Sequence, residues 1–150
     1  MNRTESPSSP SLAFWARADV GQVVVERDQP GQPHRGKVFA VVHAHVDDVA
    51  RYAAGLCAKL IHEGYIGYLI RTTNDEKSGG QSIAQNILGN EQEHLKVAAA
   101  LGCKDVFELY YQNHEMDAIS SLDIRGRLIF LFRYLKVDTV ISFNSSGPVD

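Results

Sequence analysis

Four short apolar runs, separated by segments with helical periodicity, constrain the fold of this chain more than any other feature. The runs lie at residues 37–43, 65–72, 105–111 and 139–143, and each is rich in the β-branched or aromatic residues that strands favour. Repeated strand–helix–strand units with short connections form right-handed crossovers and a parallel sheet with helices on both faces. The order βαβαβαβ therefore predicts an α/β fold, a Rossmann-like three-layer α/β/α arrangement with a mostly parallel sheet.

The three segments between these runs carry helix signals. The first has a single apolar stripe at i, i+3, i+4, i+7 and i+8, formed by Ala53, Leu56, Cys57, Leu60 and Ile61. Gly64 follows at the position of a left-handed helix end, and Gly102 does the same for a second helix predicted from about residue 82 to 101. In the third segment, Ser120 and Asp123 have the spacing of a capping box ahead of a periodic apolar pattern.

The first 36 residues differ in composition from the rest. Proline and serine are dense near the N-terminus, and prolines and glycines interrupt residues 30–36. We expect residues 1–36 to be a disordered or extended segment with a short peripheral strand at 22–26, and residues 37–150 to form one domain.

Charge and composition argue against several classes of protein. A net charge of −3 with no basic cluster gives no footprint for nucleic acid, and no apolar stretch approaches the roughly 20 residues of a membrane helix. No signal-peptide pattern opens the chain, so we expect a cytoplasmic protein. Cys57 and Cys103 lack metal-site spacing and are expected to be reduced core thiols. No GxGxxG follows the first run, so no dinucleotide is expected, and oligomerisation stays open.

The segment HAHVDD at residues 43–48 directly follows the first apolar run. Groups at the carboxyl end of a parallel strand open into the crevice where such sheets bind ligands. His45 and Asp48 are ligand types that zinc accepts, and a third ligand must then come from elsewhere. Asp47 lies next to them and could take a proton from water that attacks a polarised carbonyl. These residues predict a zinc-dependent hydrolase.

Other interpretations of the same segment exist. Asp47 and Asp48 lie where carboxylates cap a helix N-terminus without any catalytic role, and His43 can be a packed strand residue or a partner of another group. His43 and His45 together are also similar to the HxHxDH signature of metallo-β-lactamase-like hydrolases. That fold needs runs of antiparallel strands, which the alternating pattern does not favour.

The chain resembles the PIG-L / LmbE-like family of zinc-dependent N-deacetylases. The family's hallmark is Ala-His-Pro-Asp-Asp-Glu after the first strand, and residues 44–49 here are AHVDDV. Residues 71–79, RTTNDEKSG, are similar to its Thr-Asn-Gly-Glu-Lys-Gly loop, and residues 98–106 resemble its Ala-Ala-x-x-Leu-Gly-x-x-Asp-Val stretch. The resemblance covers nearly everything from Lys37 onward.

The resemblance implies a function and a site. It makes His45 and Asp48 zinc ligands and Asp47 the general base of an enzyme that removes an N-acetyl group from an N-acetylglucosaminyl-type substrate, a small amino-sugar compound. The family's third ligand comes from a His-x-Asp-His segment, which we expect beyond Asp150. Residues 37–150 are then the N-terminal part of a deacetylase domain, incomplete at the C-terminus and inactive alone.

Three residues depart from the family pattern. Val46 and Val49 replace its proline and glutamate, and Asn90 stands where an arginine commonly contacts substrate. These departures leave open a catalytically inactive Rossmann-like binding module of the same family.

Several further polar residues are candidates for the site. His114, after the third run, is the internal candidate for a third ligand and is otherwise a polar loop residue. Asn74 and Asn144 follow strands, where asparagine lines a pocket or simply forms a turn. The remaining histidines are expected to face solvent without a role: His34, His62 and His94.

Overall fold

The computed structural model describes residues 30–77 and 80–143, so the strand predicted at 22–26 lies outside the described residues. The strands and helices follow the predicted order: β1 (Val38–His43), α1 (Ala54–His62), β2 (Ile66–Thr73), α2 (Ile83–Leu101), β3 (Asp105–Tyr111), α3 (Ser121–Leu135) and β4 (Thr139–Ile141). Two short elements join them, a π-helical turn at Val49–Ala53 before α1 and a 3₁₀ turn at Met116–Ala118 before α3.

The four strands form one sheet in the order β3-β2-β1-β4. Every neighbouring pair is parallel, and β1, the first strand in sequence, lies inside the sheet between β2 and β4. Alternate residues of β1 face opposite sides: Phe39 and Val41 pack with α1 and the end of α2, whereas Ala40 and Val42 pack with α3. The chain therefore has the predicted Rossmann-like three-layer α/β/α fold. The described residues do not form the antiparallel sheet that a metallo-β-lactamase-like hydrolase would need.

The ends of α2 are where the sequence signals place them. The Ser82 side chain accepts a hydrogen bond from the backbone N–H of Gln85, and the Gln85 side chain accepts one from the backbone N–H of Ser82, which completes a capping box. Gly102 ends the helix with a left-handed φ of 78°. The first helix differs from prediction, because the backbone begins as a π-helical turn at Val49–Ala53 and becomes α-helical at Ala54.

Helix α2 buries a polar face. Its residues turned inward are spaced four apart and are Asn86, Asn90, His94 and Ala98, whereas Ile83, Leu88 and Leu95 are exposed. The expectation that His94 faces solvent is therefore wrong, since its side chain is fully buried. Buried polar side chains need partners, and those of α2 find them in the loop after β2 and at the ends of the strands.

Both cysteines are free thiols, as expected. Burial raises the pKa of Cys57 to about 11 and that of Cys103 to about 12, so neither is a thiolate at neutral pH. Within residues 30–77 and 80–143, no helix is both long enough and apolar enough to cross a bilayer.

Candidate functional site

The segment at residues 44–48 leaves the carboxyl end of β1, at the point where the chain order of the sheet reverses. The neighbours of β1 are β2 on one side and β4 on the other, and ligands of open parallel sheets bind outside the strand ends at such a switch point. A small cavity of about 70 Å³ opens here, and its lining includes His43, Asp48, Tyr52 and Phe143. The sheet topology thus places the predicted metal ligands beside a crevice.

Asp48 holds the loop closed rather than capping a helix. One of its carboxylate oxygens, Oδ2, accepts hydrogen bonds from the backbone N–H groups of Ala44 at 3.0 Å and His45 at 2.9 Å. Asp48 occupies the N-cap position of the π-helical turn, but its side chain makes no capping hydrogen bond. The capping interpretation is therefore wrong for Asp48, whose carboxylate faces back toward the end of β1.

His45 faces Asp48 across the loop. The Nδ1 atom of His45 lies 3.9 Å from Oδ2 of Asp48, which is too far for a hydrogen bond. The other ring nitrogen, Nε2, lies 3.0 Å from Oδ1 of Asn113, in the loop after β3. The His45 side chain is 38% exposed and that of Asp48 is 11% exposed, and Asp48 is the member of the pair that lines the cavity.

His45 and Asp48 are suitable zinc ligands in type but are only two in number. A neutral imidazole nitrogen and a carboxylate oxygen are ligands that zinc accepts at about 2.0–2.2 Å, but catalytic zinc usually has three protein ligands. Across the described ranges, 30–77 and 80–143, no cluster of three or more His, Cys, Asp or Glu side chains has the arrangement of a metal site. His114 is exposed and left-handed, with φ at 64°, and its neighbour Asn113 is the residue that reaches His45.

Asp47 lies at the exposed edge of the loop. Its side chain is 49% exposed, and Oδ2 lies 3.0 Å from Nη2 of Arg51, one helical turn along the chain. Asp47 and Asp48 thus have different surroundings although they are adjacent, because Asp48 is turned inward and Asp47 outward. An outward carboxylate next to the two predicted ligands is free to meet water.

The loop after β2 docks onto this segment through Asp75. Asp75 is buried in the left-handed region, with φ at 56°, and its Oδ2 accepts the backbone N–H of Val46 at 3.1 Å. Its Oδ1 accepts from the Nδ2 group of Asn113 at 3.2 Å. One carboxylate therefore ties the loop after β1 to the loop after β3.

Helix α2 stabilises the loop after β2 through side-chain hydrogen bonds. Asn90 donates from Nδ2 to the carbonyl oxygen of Asp75 at 2.9 Å, and Asn86 donates to that of Glu76 at 3.0 Å. The Oε2 atom of Glu76 in turn accepts the backbone N–H of Asn113 at 3.0 Å. Asn90, at the register of the family's arginine, is thus a buried support of the loop.

Sequence reasoning missed Asn113 and Asp75. Asn113 follows β3 just as Asn74 follows β2, so its position at the same edge of the sheet was an available signal. Asn74 itself forms a turn, because its Oδ1 accepts the backbone N–H of Glu76 at 3.3 Å. Asn144 lies outside the described residues.

His43 lies behind the loop, in a buried polar cluster on the α2 side of the sheet. Its Nδ1–H donates to the carbonyl oxygen of His45 at 2.8 Å, and its Nε2 lies 3.1 Å from Nε2 of His94. His94 then contacts Glu108 at 2.6 Å, and Glu108 pairs with Nε of Arg71 at 2.7 Å. Both nitrogens of His43 are therefore engaged within the protein, unlike the paired ligands of a metallo-β-lactamase motif.

Burial lowers the pKa of His43 from 6.5 to about 4, so the folded protein holds this ring neutral. Between those two values the unfolded chain binds a proton that the folded protein does not, and stability must fall as pH falls. We expect the metal-free protein to lose about 3 kcal/mol of unfolding free energy from this group between neutral pH and pH 4. Urea unfolding at a series of pH values measures it.

The control for this pH dependence is a comparison of two histidine variants. His43→Gln removes the buried titrating group and should flatten the slope between pH 6.5 and 4, while His62→Gln, at an exposed position, should keep the wild-type slope. An unchanged slope in His43→Gln would contradict the assignment.

The fold and site define a parallel α/β protein with a carboxylate and an imidazole paired at the end of its first strand. Residues 40–150 match the PIG-L family, described as GlcNAc-PI de-N-acetylase. The chain belongs to this family, which confirms the resemblance seen in residues 44–49 and 71–79. A search among curated proteins finds no significant match.

Solved structures with this fold include two that bear on the site. The chain is similar to 4-carboxy-2-hydroxymuconate hydratase from Pseudomonas putida, with a TM-score of 0.63 and 21% identity over 74% of this chain and 50% of that one. It is also similar to N,N'-diacetylchitobiose deacetylase from Pyrococcus horikoshii, with a TM-score of 0.63 and 22% identity over 69% of this chain and 39% of that one. The chain thus spans half or less of the length of these structures.

Proposed function

We propose that this chain forms part of a zinc-dependent hydrolase that removes an N-acetyl group from an N-acetylglucosaminyl-type substrate. The observation that carries the proposal is the pairing of His45 Nδ1 with Asp48 Oδ2, 3.9 Å apart at the carboxyl end of β1, in a chain of the PIG-L family. A cytoplasmic location and a small amino-sugar substrate belong to the same proposal.

The proposed roles follow from where each side chain lies. Zinc, when bound, would polarise a carbonyl and lower the pKa of water. His45 and Asp48 would hold it together with a ligand from outside the described residues. Asp47 would take the proton from the attacking water, because its carboxylate is exposed and adjacent to both ligands. Asp48 is unsuited to that task, since two backbone N–H groups already occupy its Oδ2.

The fold alone does not determine which reaction the protein catalyses. The two similar structures are named for different reactions, one as a hydratase and one as a deacetylase. Function resides in sites rather than in folds, and the family match favours deacetylation over hydration. The substrate class therefore needs a direct assay.

Metal content tests the site itself. We expect the full-length protein to retain about one zinc per chain after loading and desalting, and Asp48→Asn to lose most of it. Asparagine keeps an acceptor for the N–H groups of Ala44 and His45 while it removes the carboxylate charge. Asp117→Asn, which changes an exposed carboxylate on the turn before α3, is the matched control and should keep its zinc. Equal zinc in both variants would overturn the assignment of Asp48.

Acetate release tests the reaction. The zinc-loaded full-length protein should release acetate from N-acetylglucosaminyl compounds, and the rate should fall when a chelator removes the metal. Zinc binding without acetate release from any such compound would favour the non-catalytic binding module.

A further inference from the structure

The hydrogen bonds of Asn113 determine which nitrogen of His45 carries its proton. The Asp75 carboxylate only accepts, so the Asn113 amide must turn its Nδ2 group toward Asp75 Oδ1, 3.2 Å away. The Oδ1 atom of Asn113 then faces Nε2 of His45 at 3.0 Å and accepts a hydrogen bond from it. In the neutral ring the proton is therefore on Nε2, and Nδ1 has a lone pair.

The other tautomer would close the site. With the proton on Nδ1, His45 would donate to Asp48 Oδ2, which now lies 3.9 Å from that nitrogen. In that tautomer Nδ1 would have no lone pair, and the lone pair is the group of the imidazole that the proposed zinc would need. In the arrangement seen here, a lone pair and a carboxylate oxygen instead face one another with no proton between them.

Asn113 is itself held firmly in place. Its backbone N–H donates to Glu76 Oε2 at 3.0 Å, and its carbonyl oxygen accepts from Nζ of Lys77 at 3.1 Å. The residue is only 3% exposed, so water does not compete easily for these bonds. Asn113 therefore presents its amide oxygen to His45 from a rigid support.

We propose that Asn113, oriented by Asp75, is a positioning residue that holds His45 in its Nε2–H tautomer and keeps Nδ1 open toward Asp48. The inference rests on the proposed zinc site, because the lone pair of Nδ1 is the group that would bind the metal there. Partners of metal-binding histidines commonly act in this way, and their loss weakens metal binding about 10–100-fold. Asp75 lies in the loop after β2 and Asn113 in the loop after β3, so the loops after three strands meet at the His45 imidazole.

Nitrogen-15 NMR of the histidine rings in the metal-free full-length protein tests the proposal, at about two pH units above the ordinary histidine pKa. The wild-type protein should show His45 as a single Nε2–H tautomer. In Asn113→Leu, which fills the space without offering an acceptor, the proton should move to Nδ1 and the Kd for zinc should rise about 10–100-fold. The control is Asn86→Ala, which removes another buried amide. Asn86 donates to the carbonyl oxygen of Glu76 in the loop after β2 and does not contact His45. The tautomer of His45 should therefore be the same in this variant as in the wild type.

The outcomes separate the two proposals. A wild-type His45 with its proton on Nδ1, or an Asn113→Leu protein with unchanged tautomer, would overturn the role of Asn113. A wild-type protein with the expected tautomer and no zinc binding would instead refute the proposed function and leave the orienting hydrogen bonds in place. If Asn113→Leu does not fold, the wild-type protein still tests the proposal, because a His45 proton on Nδ1 would overturn it.

Discussion

Replacing Asp47 with asparagine is expected to lower kcat by about 10²–10⁴-fold in the full-length protein, the usual contribution of a general base. The physical reason is that an amide has the shape of the carboxylate but cannot take up a proton at neutral pH. The Asp47 carboxylate is directed outward, and within residues 30–77 and 80–143 its side-chain partner is Arg51, in an exposed pair. Zinc content should therefore stay at the wild-type level.

The comparison that makes this result specific uses three proteins in one assay. Acetate release and zinc per chain are measured for wild type, Asp47→Asn and Asp117→Asn, where the last changes another exposed carboxylate away from the loop. Only Asp47→Asn should lose turnover, and an exposed pair such as Asp47–Arg51 contributes about 1 kcal/mol or less to stability. Full turnover in Asp47→Asn would remove Asp47 from the reaction.

Much of the fold was predictable because local signals and tertiary packing agree. Gly64 and Gly102 both lie in the left-handed region just after a helix, and α2 begins at Ile83, next to the predicted start at about residue 82. The all-parallel sheet follows from alternating strands and helices. The ends of strands were less predictable: β4 stops at Ile141, short of the run that continues to Phe143.

The inward face of α2 could not be read from hydrophobic periodicity. That method assumes that a helix buries its apolar side, whereas α2 buries Asn86, Asn90 and His94 and exposes Leu88 and Leu95. The reason lies in the sheet, because β2 and β3 present charged and polar groups to this helix near their carboxyl ends. A helix that packs against a polar surface buries its polar side chains and exposes apolar ones. A single sequence does not show which surface a helix packs against.

The geometry of the candidate site was predictable only in part. His45 and Asp48 do face each other, as their spacing at a strand end suggests. The proposed orienting groups of His45 are Asn113 and Asp75, which come from two other loops 68 and 30 residues from His45 along the chain. Such contacts depend on the register of β2 and β3 and on a left-handed residue at Asp75, which composition does not reveal.

Replacing Glu108 with glutamine is expected to destabilise the folded protein by about 3–5 kcal/mol, because it leaves the charge of Arg71 buried without its partner. Arg71 is fully buried, and its Nε lies 2.7 Å from Glu108 Oε2. Its two Nη atoms have no hydrogen-bond partner among the described residues, so this carboxylate carries most of the compensation. Against a typical total of about 5–15 kcal/mol, the loss is large, and urea unfolding at neutral pH measures it.

A second substitution separates an unpaired charge from general damage to the core. Arg71→Met combined with Glu108→Gln removes both charges, while the glutamine oxygen can still accept from Nδ1 of His94, where Glu108 now lies at 2.6 Å. The double variant should be more stable than Glu108→Gln alone, since a buried pair is often replaceable by apolar groups although neither member is dispensable.

The control for burial is an exposed ion pair. Glu115→Gln breaks an exposed pair with Lys77 and should lower the free energy of unfolding by about 1 kcal/mol or less. If Glu108→Gln costs no more than Glu115→Gln, then the charge of Arg71 does not depend on Glu108. The chain of contacts from Arg71 through Glu108 and His94 to His43 would then have to be stabilised in another way.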